Sequence, residues 1–379
     1  MRPHLSLLVL AGALALPGCG DDCGDGEYRD GEICFNRRAL EVTVDLEGAL
    51  ALRTGDFDGD ARDDVLVIAA GPAGVTGALY LGEGDGHLRA ARPAAVAGCS
   101  AYPIAADLDA DGTTDLLFPT CLESLLYYRG AGGEFMPPLE IPVGVQVRTT
   151  AVADLDGDGR RDILALGTAA GAPALGLALA APAGGFREPQ LVAVAVPGLD
   201  GFDPFMLTAG RIVRDGPAEV VIGEAERSGG LARAAVRDGV LSAPTAIATG
   251  LRPAGLSLRD LDDDDDLDLL VLDVSPDALA PLLGPDLSEG PRTPLAGLPR
   301  SIALAHLDGD GTVDAVLQAG PRLGLWRGVG DGRFTADKDV EFPADIVELA
   351  LPDLNGDGRA ELVAGLFPDS GLVVRISGP

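Results

Sequence analysis

Carboxylates recur along this chain at a spacing that lets them meet at one point. Residues 154–162 read Asp-Leu-Asp-Gly-Asp-Gly-Arg-Arg-Asp, with acids at positions 1, 3, 5 and 9 of a nonapeptide. In a tight turn, alternate side chains face a common centre, and the carbonyl at position 7 adds another oxygen. A set of hard oxygens of this kind suits Ca²⁺, which takes about six to eight oxygen ligands in flexible geometry. Glycine at positions 4 and 6 permits the backbone angles that wrap a chain around an ion. Without a cation, four carboxylates so close would repel one another and some would retain protons.

The motif is not alone. Copies start at residues 56, 107, 260, 306 and 353, and a worn copy starts at 211. The third copy supplies Asp154, Asp156, Asp158 and Asp162, and the second Asp107, Asp109, Asp111 and Asp115. The first, Asp56, Asp58, Asp60 and Asp64, has Ala61 where glycine is usual. The fifth, Asp260, Asp262, Asp264 and Asp268, replaces both glycines with Asp263 and Asp265. The seventh offers Asp353, Asn355, Asp357 and Glu361. The sixth starts at His306, a poor Ca²⁺ ligand, which leaves Asp308, Asp310 and Asp314. The fourth keeps only Asp215 and Glu219, with Arg211 and Val213 in ligand places, and is expected to bind nothing. A single acidic turn ordinarily caps backbone amides. Six turns in phase point to structural Ca²⁺ sites that each fix a hairpin.

The starts are 46 to 57 residues apart, a period that means one supersecondary unit stacked on its neighbours. Around each loop an apolar strand enters, as in Arg148–Asp154, and a second leaves, as in Asp162–Leu166. A third strand such as Leu125–Tyr128 and a more polar fourth such as Phe334–Phe342 complete the unit. Four short strands per unit is the pattern of a propeller blade. The apolar stretch Thr168–Gly185 is broken by Gly171, Pro173, Gly176 and Pro182 and falls on a strand position, so a buried strand with its turns is expected. The seventh unit ends one strand short, while Leu40–Leu46 is a strand-like run with no unit of its own. An N-terminal strand that completes the last blade would close the ring and remove two open edges. The reading is therefore all-β, a seven-bladed propeller of four-stranded blades over residues 39–379. The alternative is an open solenoid of the same units, which would need capping repeats that are not found.

Asp-x-Asp-Gly-Asp-Gly-x-x-Asp-[Leu/Ile], followed by turns such as Leu81-Gly-Glu-Gly-Asp-Gly86, resembles FG-GAP and VCBS-type repeats. The resemblance covers six of the seven units. It implies the propeller of integrin alpha subunits and of many bacterial surface proteins, with calcium in the loops. It says little about function, since the same repeats serve adhesion, glycan binding and enzyme appendages.

The first 18 residues have the form of a secretory leader, with Arg2, the apolar stretch Leu5–Leu16 and a small-residue processing site. Leu16-Pro-Gly-Cys19 resembles a lipobox, which implies lipidation of Cys19; Pro17 is unusual there, and the alternative is an ordinary cleaved signal. Localisation on a bacterial membrane, at the outer membrane, follows from that resemblance. Residues 19–38 form a short acidic spacer. The remaining cysteines, Cys23, Cys34, Cys99 and Cys121, are an even set in an exported chain and read as disulfides. Three pairings are open, and spacing favours Cys23–Cys34 and Cys99–Cys121. A zinc site is the rival, though no Cys-x-x-Cys pair occurs.

Net charge is −31, so phosphate backbones are repelled and nucleic acid is excluded as a partner. Of the three histidines, His4 falls in the leader, His306 in a metal loop and His87 in a turn. No Gly-x-Ser-x-Gly or His-Glu-x-x-His motif occurs, so no enzyme activity is expected; the alternative is a polysaccharide-processing enzyme that works through a pair of carboxylates. What remains is a monomeric binding scaffold, anchored only through its N-terminal lipid. Its ligand would be a protein, or a glycan held between blades, although only 4% of residues are aromatic.

Overall fold

The computed structural model describes residues 27–30, 33–36 and 40–43 and, apart from short stretches, 49–375. Within these residues the chain is all β, with seven antiparallel sheets of the same design. Blade 3 shows the plan most fully. Gln146–Ala153 enters, Asp162–Ala169 and Ala172–Ala178 follow, and Gln190–Ala193 forms the outer edge. The middle two strands are buried along most of their length, which is why they are runs of Leu, Ile and Ala rather than alternating patterns. The Thr168–Gly185 segment is accordingly a strand and its turns.

Blade 1 uses Ala49–Gly55, Asp64–Gly71, Gly74–Tyr80 and Arg92–Ala94. Blade 2 uses Ile104–Ala106, Asp115–Pro119, Ser124–Tyr128 and Leu139–Pro142. In blades 4 and 5 the outer strand is split in two, Val240–Leu241 with Thr245–Ile247, and Ser288–Glu289 with Thr293–Pro294. Blade 6 runs from Ser301–Ala305 through Asp314–Ala319 and Arg322–Gly328 to Phe334–Glu341.

Blade 7 is built from both ends of the chain. Asp345–Ala350, Leu362–Phe367 and Gly371–Arg375 supply three strands, and Leu40–Thr43 supplies the fourth. The pairing is antiparallel, from Leu40 opposite Val374 to Thr43 opposite Gly371. The surplus strand at one end thus fills the deficit at the other and covers the edge of Gly371–Arg375.

Seven apolar clusters lie between the sheets, one at each junction. The cluster between blades 7 and 1 joins Leu354, Val363 and Val374 to Leu52, Val65 and Val67, so the ring is packed shut as well as hydrogen-bonded. The junction of blades 3 and 4 includes Leu164, Leu175 and Leu177 against Val220, Ile222 and Val236. Each fully buried Leu or Val contributes about 1.5–3 kcal/mol relative to exposure. Ahead of the propeller, within the spacer, Glu27–Asp30 pairs with Ile33–Asn36 as a small hairpin.

Candidate metal centres

Every acidic nonapeptide joins the first strand of its blade to the second, so all of them crown one face of the ring. Three of the four acidic positions play separable parts. At position 1 the carboxylate gathers amides of its own turn. Asp56 accepts from the backbone N–H groups of Gly59 at 2.6 Å, Asp60 at 3.1 Å and Ala61 at 2.7 Å. Asp154, Asp260 and Asp353 repeat this with N–H groups three and five residues on. The wrap requires left-handed backbone at positions 4 and 6. Gly157 and Gly159 both have φ of 83°, but Ala61 (65°), Ala110 (59°), Asp263 (62°) and Asp265 (71°) adopt the same region without being glycine. A side chain there costs roughly 1–2 kcal/mol.

Position 9 is fully buried, with Asp64, Asp115, Asp162, Asp268 and Glu361 all at 0% exposure. One oxygen accepts from the N–H at position 2, as Asp64 does from Phe57 (2.9 Å) and Asp162 from Leu155 (2.8 Å). In five blades the other accepts from the N–H of a residue at or just past the end of the third strand, which is Gly82, Gly130, Ala180, Gly284 or Gly328. This carboxylate therefore clamps the loop to the third strand whether or not it also meets an ion, a role that spacing alone did not disclose. Burial outweighs these hydrogen bonds and pushes Asp64, Asp115, Asp268 and Asp314 up to about 6.

Positions 1, 3 and 9 come together. In loops 1, 2, 3 and 5 the sets Asp56/Asp58/Asp64, Asp107/Asp109/Asp115, Asp154/Asp156/Asp162 and Asp260/Asp262/Asp268 each bring one oxygen apiece within 4.8 Å of the others. Position 5 stands outside those sets. Asp60, Asp111, Asp158, Asp264, Asp310 and Asp357 accept from the N–H at position 7 of their own loops. Loop 7 has an amide in the set, and Asn355 Nδ2 donates to Asp357 at 3.1 Å. In loop 6, His306 Nδ1 donates to the Thr312 carbonyl at 2.8 Å, and no three carboxylates meet among the described residues. The degenerate loop 4 closes on itself, with Arg211 donating to the Gly216 carbonyl at 2.9 Å.

Two observations test whether a cation fits. Asp58 Oδ1 and Asp262 Oδ1, at position 3 of loops 1 and 5, are buried without a hydrogen-bond partner. Burial, and then the neighbouring carboxylates, raise the pKa of both groups. Buried polar atoms are normally satisfied, so an orphaned carboxylate oxygen facing two other carboxylates marks a place for positive charge. The donor set is all oxygen, which matches a hard divalent ion.

Sequence comparison agrees with this geometry. Residues 56–118 and 299–364 match the FG-GAP-like repeat. A search of curated proteins finds no match. Among solved structures, the chain is similar to BBS1N in its complex with ARL6DN, at 12% identity and a TM-score of 0.58, covering 90% of this chain and 97% of that one. It is also similar to an Agrocybe aegerita lectin described as recognising non-reducing terminal N-acetylglucosamine. That match has 16% identity and a TM-score of 0.57, and covers 87% of this chain and 86% of the lectin. At these identities the likeness establishes the propeller fold.

On the opposite face, a cleft of about 700 Å³ opens between blades 2 and 3, lined in part by Glu123, Ser124, Glu140, Gln146 and Thr168. It lies beside the turn that carries Cys121, which is disulfide-bonded. Cys19, Cys23 and Cys99 lie outside the described residues, as does the side chain of Cys34.

Proposed function

We propose that this chain is a calcium-stabilised, non-catalytic binding scaffold, held at a bacterial membrane by a lipid on Cys19. The observation that carries the calcium reading is the orphaned Asp58 Oδ1 within a converging set of three carboxylates, of which Asp64 is fully buried. Bound there, Ca²⁺ would neutralise carboxylates that otherwise repel, and Asp56, Asp58 and Asp64 would hold it. The expected sites are structural, with each tying the first hairpin of its blade to the strand behind it. An ion bound only by the folded state stabilises by mass action, about 1.4 kcal/mol per site at ten times Kd. Thermal unfolding with and without a chelator tests this: a chelator should lower Tm, and an unchanged Tm would remove the calcium claim.

The non-catalytic part rests on the engagement of the titratable groups. His87 pairs with Asp85 at 3.1 Å in an exposed turn, and His306 is held in its loop. The acids that cluster do so in the loops, where a metal explains them. The anchor rests on the leader and Leu16-Pro-Gly-Cys19. Fatty-acid labelling of wild type and Cys19→Ser decides it, with equal incorporation counting against lipidation. Cys121 is proposed to pair with Cys99 across the second blade, which non-reducing peptide mapping reads directly.

The ligand is proposed to be a protein. The cleft between blades 2 and 3 favours a second reading, in which hydroxyl, amide and carboxylate groups there receive a sugar. Saturable binding to one sugar class on a glycan array, lost when Gln146 is replaced by Ala, would favour the sugar.

A further inference from the structure

The third strand of each blade ends beside its acidic loop, one residue past the last pair with the second strand. By register this residue is Leu81 in blade 1, Arg129 in blade 2, Leu179 in blade 3, Leu283 in blade 5 and Arg327 in blade 6. The next residue donates its N–H to the position 9 carboxylate, so this side chain is fixed at the rim of the site. Where it is arginine, the guanidinium enters the acidic set. Arg129 Nε lies 2.6 Å from Asp109 and its Nη2 lies 2.8 Å from Asp111. Arg327 Nη2 lies 2.7 Å from Asp308 and 3.4 Å from Asp310. Where it is leucine in blades 1 and 5, the position 3 oxygens Asp58 Oδ1 and Asp262 Oδ1 are the orphans. In loop 1 the nearby Arg62 pairs with position 5 instead, 3.4 Å from Asp60.

We propose that this single position decides whether an acidic loop depends on a divalent cation: leucine leaves the site open, and arginine makes the protein its own counter-ion. The proposal rests on the calcium reading above. Loop 2 then becomes an arginine-gated site, since Asp107, Asp109 and Asp115 still converge and Arg129, half exposed, can be displaced at a cost in affinity. Loop 6 becomes an arginine-held turn with no site, because His306 has removed the first carboxylate. The chain would carry open sites in blades 1, 3 and 5, a weaker one in blade 2, and a built-in substitute in blade 6.

The test is calorimetric titration of the full mature chain, freed of metal, with CaCl₂, for wild type, Arg129→Leu and Arg327→Leu. Arg129→Leu should add or tighten one site, by about tenfold, because a positive charge no longer competes for Asp109. Its Tm in chelator should fall, and calcium should restore it. Arg327→Leu should lose stability in chelator without gaining a site. If wild type binds calcium and Arg129→Leu changes neither affinity nor stoichiometry, or if both variants gain equally, the gate is refuted while the calcium reading stands. If wild type and Arg129→Leu both fail to bind, the gate and the calcium reading fall together.

Discussion

The backbone N–H of Thr114 donates to the carbonyl of Asp56 over 2.6 Å, so loop 2 rests directly on loop 1. The contact recurs around the ring, from Leu267 to Ile212 and from Ala360 to His306, each at 2.8 Å. At the junction of the last blade with the first, a side chain takes over: the Asp353 N–H donates to Asp63 Oδ2 at 3.0 Å. Loops 1 and 2, 4 and 5, 6 and 7, and 7 and 1 are therefore tied directly, and an ion that stiffens one of these loops bears on its neighbour.

Asp63 should consequently matter for closure although it belongs to no acidic set. Asp63→Ala leaves the Asp353 N–H without its partner and is expected to cost about 1–2 kcal/mol. Urea unfolding would show the loss as a lower midpoint. Replacing Leu40–Thr43 with a Gly-Ser stretch should do far more, since it exposes the edge of Gly371–Arg375. Size-exclusion chromatography should then show association, and a monomer of unchanged Tm would contradict the closure argument.

Ala61 holds φ of 65° at a position where the other loops mostly have glycine. Ala61→Gly should stabilise the protein by about 0.5–1 kcal/mol, the left-handed penalty less the entropy that glycine loses on folding. Thermal melts in chelator would measure this free of any change in metal affinity, and a lower Tm would mean that the turn does not carry the strain.

Much of this architecture was legible in the sequence because it repeats. The phase of the loops gave the blades, and the missing strand after Gly371–Arg375 pointed to Leu40–Leu46. The site was read less completely. Positions 1, 3 and 9 meet as their spacing suggests, but Asp60 and Asp158 sit on the N–H groups of Arg62 and Arg160. The clamp from Asp64 to Gly82 spans 18 residues, so nothing within the nonapeptide signals it. The entry of Arg129 and Arg327 depends in the same way on strand register, which a motif does not encode. Their signal was present as an arginine before the glycine that follows the third strand, and it becomes readable once that register is known.

The metal-free protein should be more stable in mild acid than at neutral pH. Asp64, Asp115, Asp268 and Asp314 are pushed up to about 6, above the ordinary aspartate value near 4. A raised folded-state value means that the protonated form is favoured by folding. That contribution is complete below about pH 4 and is lost as pH rises through about 6. In chelator, Tm should therefore fall between pH 5 and pH 7.5; with saturating calcium, which needs ionised carboxylates, the trend should weaken or reverse. A Tm that rises with pH in chelator would show that these carboxylates are not desolvated in this way.

The central claim is that the acidic loops are cation sites, and Asp58→Asn tests it most directly because the two readings predict different signs. The substitution keeps the shape but removes one negative charge from the set in which Asp58 Oδ1 has no partner. If the loop is a calcium site, Asp58→Asn should raise Tm in chelator, by relieving repulsion, and lower it relative to wild type in millimolar calcium, by losing a site. Calorimetric titration should show one site fewer, while Asp215→Asn in the fourth loop should change nothing. Equal calcium stoichiometry in wild type and Asp58→Asn, with no crossing of their melting temperatures, would mean that the loops are polar turns and not metal centres.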